Sequence, residues 1–179
     1  VKSEEEMRAK IKELIQNQYN EDADYKFLLD VRKYADEKVG KLEFPEELLK
    51  RFMKEQNAEK GEEFVENNFA QSLEELKWHL IKEKLVAKAE IKIDDADVRA
   101  AAVKTARFQF AQYGMNNVPE EYLENYAAEL LKDRNQVNGF VERSINEKLA
   151  KALKEVVTLE HKAVSVEDFQ KLFQGETAE

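Results

Sequence analysis

One stretch without glycine or proline, from Phe64 to Ile91, constrains the fold more than any other part of the chain. Leu, Ala, Glu and Lys dominate it, and these residues favour helices. One helical face is indicated by apolar residues at steps of three or four, namely Val65, Phe69, Leu73, Leu76 and Leu80. Trp78, Ile81 and Leu85 form a second stripe. A helix of this length, about 40 Å, with two apolar stripes suits an extended scaffold that has neighbours on two sides.

The rest of the chain is also poor in the residues that break helices. Only five Gly and two Pro occur in 179 residues, whereas strands joined by tight turns need more such breaks. Charged residues make up 37% of the chain and hydrophobic residues 42%, a combination that is unusually charged for a compact globule. We therefore expect an all-α fold with a large surface for its volume.

Composition also excludes several classes of function. The net charge of −9 argues against direct nucleic-acid binding, which needs clustered Lys and Arg. Without cysteine the chain has no disulfide, thiol catalysis or thiolate metal site, and we expect a cytoplasmic protein. No apolar run of about 18 residues is present, so we expect no membrane partner. Residues 1–10 hold no apolar signal core. Because the chain opens on Val with a run of Glu, we expect it to be a piece of a longer protein.

Capping and breaking residues divide the first half of the chain into helices. Ser3 ahead of three glutamates predicts the start of one long helix, bent at most near Asp22. Gly40 lies where the left-handed residue that ends this helix is expected. Pro45, followed by two glutamates, predicts the first position of the next helix. The segment 57–61 then separates that helix from the scaffold helix.

Similar signals divide the second half. Asp94 or Asp95 is expected to cap a helix that runs to about Tyr113. Residues 114–119 read as a loop, and Pro119 begins a further helix. The residues near Asp133 are expected to kink or break the chain before an amphipathic helix of about six turns, and an extended segment follows. Ser165 with Asp168 resembles a capping box for a short last helix.

No constellation of reacting groups is visible in the sequence. His79 and Glu83 lie four residues apart on one predicted helix, but two ligands do not complete a zinc site. Adjacent glutamates occur at predicted helix starts, where the helix dipole explains them without catalysis. Phosphate-binding loops, dinucleotide fingerprints and nucleophile elbows are absent from the sequence. We therefore expect no enzymatic activity, no cofactor and no metal.

Apolar surface is the remaining candidate for function. Ten Phe, six Tyr, three Met and one Trp would all be core in a compact bundle, whereas long helices with few neighbours leave part of them exposed. Exposed apolar patches mark interaction sites, and aromatic and Met side chains adapt to varied partners. The candidates are residues off the main stripes or beside loops: Met53, Phe110, Tyr113, Met115, Tyr122, Tyr126 and Phe140.

Three segments together resemble a known family. They are SEEEMRAKIKELIQNQ near the start, KLEFPEELLKRFM from Lys41, and the run from VPEEYLENY to VSVEDFQKLF. In order and pattern they are similar to the C-terminal domain of bacterial trigger factor, the ribosome-associated chaperone. The resemblance implies one elongated multi-helix domain over residues 1–179 with protruding helical arms, as in trigger factor and SurA-like chaperones. It also implies binding of nascent or unfolded polypeptides without ATP.

The chain departs from the full-length family in two respects. A Gly-Phe-Arg-x-Gly-Lys ribosome-docking signature is missing, so the ribosome is expected as a partner only through a domain outside this sequence. An FKBP-like segment is missing as well, so prolyl isomerase activity is not assigned. The family's linker helix, which packs on this domain, precedes the isomerase, and we expect that its loss leaves an apolar face through which the fragment self-associates.

Two other interpretations stay open at this point. The apolar stripes of a helical structural or assembly module would bind one dedicated partner or a second copy of the chain. A periplasmic chaperone linked to parvulin domains would also use helical client-binding domains. Breadth of binding separates the first alternative from a chaperone, because a chaperone protects several unrelated unfolded proteins.

Overall fold

A computed structural model describes residues 3–115 and 117–174, and within these residues it contains seven α-helices and no strand. The all-α prediction is therefore confirmed. A short 3-10 turn, Ala58–Lys60, lies between the second and third helices. In chain order the helices are α1 (Glu4–Val39), α2 (Glu46–Gln56), α3 (Gly61–Lys88), α4 (Asp95–Gln112), α5 (Glu120–Leu130), α6 (Arg134–Val156) and α7 (Val166–Gln174).

The first helix forms as its ends predict. The backbone N–H of Glu6 donates to Ser3 Oγ at 3.1 Å, and three glutamates occupy the first turn. At the other end Gly40 has a φ of +68°, and its N–H donates to the Asp36 carbonyl at 3.0 Å. The helix continues through Asp22 without interruption. Local capping thus fixes both ends of a helix of 36 residues.

Residues 27–87 form one compact unit, which we call the α2–α3 unit. It contains the later part of α1, all of α2 and nearly all of α3. Arg32 on α1 pairs with Glu75 on α3 at 2.9 Å, and Lys77 on α3 pairs with Asp36 on α1 at 3.3 Å. Val65 on α3 is fully buried. The scaffold helix was predicted to start at Phe64, but it starts three residues earlier because the 3-10 turn leads directly into Gly61.

Residues 3–26 and 88–174 form the second compact unit, which we call the α4–α6 unit. Its core lies where α4, α5 and α6 meet, and small side chains on α4 let the helices approach closely. On α5 the buried residues Leu123, Ala127 and Leu130 recur at helical spacing and form its core face. The cluster of buried residues consists of Ala101, Ala102, Val103, Ala106, Leu123, Ala127, Leu130 and Phe140.

Caps set the helix boundaries of this second unit. Asp94 accepts from the N–H of Asp97 at 3.0 Å, and Asp97 accepts from the N–H of Asp94 at 2.9 Å, which completes a capping box. Asp133 accepts from the N–H of Asn135 at 2.9 Å and caps α6. The chain therefore breaks near Asp133, as one of the two expected outcomes stated. Among the described helices, none combines the length and the apolar character that crossing a bilayer requires.

Ion pairs attach the earlier part of α1 to the same unit. Lys104 on α4 pairs with Glu21 on α1 at 3.0 Å and with Glu147 on α6 at 2.7 Å. Lys154 on α6 also pairs with Asp24 on α1. Burial lowers the pKa of Lys104, but the hydrogen bonds to Glu147 and Glu21 outweigh it, so the pKa lies above its usual value.

Candidate functional site

Helix α2 is apolar on one side because Leu48, Leu49, Phe52 and Met53 recur at helical spacing. Pro45 stands at the N-cap, one residue before the position predicted for it, and Glu46 opens the helix. At the other end, the backbone N–H of Asn57 and its side-chain amide both donate to the Met53 carbonyl, at 3.1 and 3.0 Å. The helix is thus short, fixed at its end, and strongly amphipathic.

An apolar groove of about 350 Å³ lies between α2 and α3, and we call it the α2–α3 groove. Phe52 lines it with 58% of its surface exposed, and Leu48 beside it is 62% exposed. Apolar side chains therefore stay open to solvent at its mouth. The lining consists of Leu49, Phe52, Met53, Gln56, Asn57, Phe69, Ser72, Leu73 and Leu76.

Two ion pairs join α2 to α3. Lys54 pairs with Glu62 at 2.8 Å, and Lys50 pairs with Glu66 at 3.4 Å. The hydrogen bond between Lys54 and Glu62 raises the pKa of Lys54 and lowers the pKa of Glu62, each relative to its usual value. The Lys50 ammonium also lies 4.9 Å from the centre of the Phe69 ring. Both lysines of α2 are thus paired with glutamates of α3.

A second apolar region lies at the end of α4, the following loop and α5. We call Phe110, Tyr113, Met115, Tyr122 and Tyr126 the α4–α5 aromatic region. The rings of Phe110 and Tyr126 meet edge to face with 5.3 Å between their centres. The backbone N–H groups of Tyr113 and Met115 both donate to the Phe110 carbonyl, at 3.1 and 3.0 Å. The loop is thereby folded back onto the end of α4.

Charged and polar groups border this region. Arg107 on α4 pairs with Glu120 on α5 at 2.7 Å, and the Tyr126 hydroxyl donates to Gln109 Oε1 at 3.1 Å. Tyr113 is 80% exposed and Tyr122 is 64% exposed. Their rings are therefore open to solvent on a surface where an ion pair links α4 to α5.

Five predicted site residues occur in the α4–α5 aromatic region, and Met53 lines the α2–α3 groove in the other unit. The prediction for Phe140 disagrees with the structure, which leaves only 6% of its surface exposed in the core of α4, α5 and α6. Phe140 looked accessible because it follows the break near Asp133. Because Asp133 caps α6 at once, Phe140 already lies on the helix face that also buries Ser144, one turn later.

Sequence reasoning missed several exposed apolar residues. Phe108 on α4 was not among the predicted site residues, yet 57% of its surface is exposed. Phe52 on α2 was not among the predicted site residues either, yet it lines the α2–α3 groove. Phe52 could have been identified from the sequence, because it neighbours the predicted site residue Met53 on an amphipathic helix. The early part of α1 also leaves apolar residues exposed, namely Met7, Ile11, Leu14 and Ile15.

Comparison with known proteins agrees with this arrangement. A family model described as "Probable trigger factor, C-terminal domain" matches residues 23–173. The chain belongs to this family. The match covers the α2–α3 groove and the α4–α5 aromatic region, and it confirms the resemblance drawn from the sequence. No curated protein and no solved structure matches the chain. A trigger factor C-terminal domain is a chaperone-type domain.

Proposed function

We propose that this trigger factor C-terminal domain binds exposed apolar segments of unfolded or nascent polypeptides and prevents their aggregation without ATP. The observation that most supports the proposal is the α2–α3 groove, with Phe52 open to solvent above an apolar lining. The α4–α5 aromatic region adds a second place of the same chemistry. Exposed apolar patches on soluble proteins mark interaction sites.

Each region is small, and this determines how binding occurs. A groove of about 350 Å³ takes only a few side chains, so a single contact gives modest affinity. An unfolded chain carries many apolar segments and engages several regions at once. The second contact is then intramolecular and raises the overall affinity without new interactions.

The chemistry of the two regions suits clients of varied sequence. Met53 in the groove is flexible and polarizable, and Tyr113 and Tyr122 present broad faces with a polar end. Contacts of this kind need no fixed sequence in the partner. Catalysis and a cofactor have no part in the proposed function, and we propose the cytoplasm as its location. A ribosome would be reached through another domain of the family.

Suppression of aggregation tests the proposal. Several unrelated, chemically denatured enzymes are diluted with and without the domain, and light scattering is followed with and without ATP. We expect protection of most of these enzymes and no effect of ATP. Protection of a single enzyme would instead indicate a dedicated assembly module, and protection of none would contradict the proposal.

Matched double variants assign the effect to the aromatic region. Tyr113→Ser with Tyr122→Ser removes two rings that are 80% and 64% exposed, and we expect weaker protection. The control is Tyr25→Ser with Tyr34→Ser, because these rings are 60% and 61% exposed but lie outside both regions. Equal loss in both double variants would mean that exposed aromatic area in general, and not this region, binds clients.

A further inference from the structure

The last helix is held on the first by aromatic rings. Phe169 on α7 meets Tyr19 on α1 edge to face, with 5.4 Å between the ring centres, and Phe173 meets Phe169 at the same distance. Phe169 and Phe173 are four residues apart and therefore share one face of α7. All three side chains remain half-buried. The ring contacts are therefore only partly shielded from solvent.

Local interactions form α7, and its attachment to the rest of the unit is limited. Nine residues are too few for a stable isolated helix, but Ser165 and Asp168 provide a cap. The N–H of Asp168 donates to Ser165 Oγ at 3.1 Å, and Lys171 pairs with Asp168 at 2.9 Å. The connection from α6, residues 157–165, is exposed except for a half-buried Leu159. The Phe169–Tyr19 ring pair joins α7 to α1.

The α7 contact continues into an uncovered apolar face of α1. Ile11, Ile15 and Tyr19 recur at steps of four and lie on one side of the helix, and we call them the α1 strip. Ile11 is 45% exposed and Ile15 is 52% exposed. Phe169 contacts the Tyr19 end of the strip. An occupied site and an open apolar face are therefore continuous.

We propose that the α1 strip binds short amphipathic helical segments of clients and that α7 is its resident, displaceable occupant. The inference rests on the proposed chaperone function. Amphipathic helical segments would bind the α1 strip, and α7 would compete with them for it. Displacement of α7 would lengthen the apolar strip from Ile11 through Tyr19.

The backbone of the strip explains why the occupant is a helix. The strip lies in the middle of α1, where every backbone N–H and C=O is bonded within the helix. An extended segment placed there would find no backbone partners, whereas a helix satisfies its own groups. The resident occupant shows the side-chain pattern that fits, because α7 presents aromatic rings four residues apart.

The tether of α7 favours its own α1 over that of a second copy. A short connection gives an effective concentration in the millimolar range, and α7 therefore occupies its site in the isolated domain. A client helix must compete with α7, so its apparent dissociation constant is the intrinsic constant divided by the fraction of time that α7 is undocked. Releasing α7 removes this competition.

The test uses the full 179-residue chain and a fluorescent peptide with the sequence of residues 164–174. Phe169→Ser with Phe173→Ser releases α7, and we expect the peptide to bind this released variant about tenfold more tightly than the unchanged chain. Adding Ile11→Ser and Ile15→Ser to the released variant should abolish most of that gain. The control is Gln170→Ser, an exposed position on α7, which should bind the peptide like the unchanged chain.

Client binding is measured in the same variants with a reduced, carboxymethylated unfolded protein. We expect the released variant to bind it about threefold more tightly or better. Equal peptide binding before and after release, or weaker client binding after it, would overturn the proposal. Concentration-dependent dimers of the released variant that the peptide dissolves would show a second copy as the occupant and overturn it as well. Failure of the proposed chaperone function would look different from failure of this proposal. The peptide would still bind through the α1 strip, but no variant would protect any client from aggregation.

Discussion

Replacing Phe52 by serine tests the α2–α3 groove with little risk to the fold. A phenylalanine side chain has about 200 Å² of surface, and 58% of Phe52 is exposed in the free domain. About 120 Å² is then open for a client, and covering all of it would contribute about 3 kcal/mol. Partial covering by a flexible client leaves about 1 kcal/mol. We therefore expect Phe52→Ser to weaken client binding about fivefold.

Fluorescence anisotropy of a labelled, permanently unfolded protein measures the dissociation constant directly. Tyr34→Ser is the matched control, because Tyr34 is 61% exposed in the same unit but does not line the groove. Urea unfolding of both variants should stay within about 1 kcal/mol of the unchanged domain, since both rings are mostly exposed. The fivefold difference is then a binding effect.

Three results would contradict this reasoning. Unchanged affinity in Phe52→Ser would show that clients do not cover the groove. An equal loss in Tyr34→Ser would show that the loss comes from reduced aromatic surface anywhere on the unit. A large loss of stability in Phe52→Ser would mean that the ring is more important for packing than its exposure indicates.

Three further predictions concern the fold and its charges. Phe140→Ala should cost about 3–5 kcal/mol in urea unfolding because the ring is buried, and the folded variant should still bind clients. Asp94→Ala should lower the free energy of unfolding by about 1 kcal/mol, because the cap shared with Asp97 is lost. Equilibrium urea unfolding followed by far-ultraviolet circular dichroism would measure it. Lys54→Met should raise the pKa of Glu62 towards its usual value, as NMR titration would show. In the unchanged domain, the stabilisation from the lowered Glu62 pKa is present above the unfolded-state pKa and lost as the pH falls through the folded-state pKa.

Helix positions could be predicted from the sequence because their signals are local. Gly40 adopts the left-handed conformation that ends α1, and Asp94 caps α4. Each signal involves residues within one turn, so no knowledge of distant neighbours is needed. Boundaries moved by a few residues where a 3-10 turn or a cap at the preceding position altered the start of a helix.

Burial could not be predicted with the same success, because it depends on what packs against each face. Phe140 and Phe108 are both aromatic residues within helices, yet the first is in the core and the second is 57% exposed. Periodicity shows that Ile11 lies on an apolar face of α1, but it does not reveal what covers that face. The α2–α3 groove likewise depends on how two consecutive helices pack against each other, which the pattern of either helix alone does not show.

Under the proposed function, the small volume of the α2–α3 groove has a consequence for a bound client. At about 350 Å³, it lies near the lower end of the range for small-molecule pockets, and it grips only a few side chains at a time. Most of a long guest then remains free to search for its native conformation while still attached. Because each proposed contact is weak and breaks independently, a client that folds buries the apolar segments through which it was bound. Its release then requires no ATP.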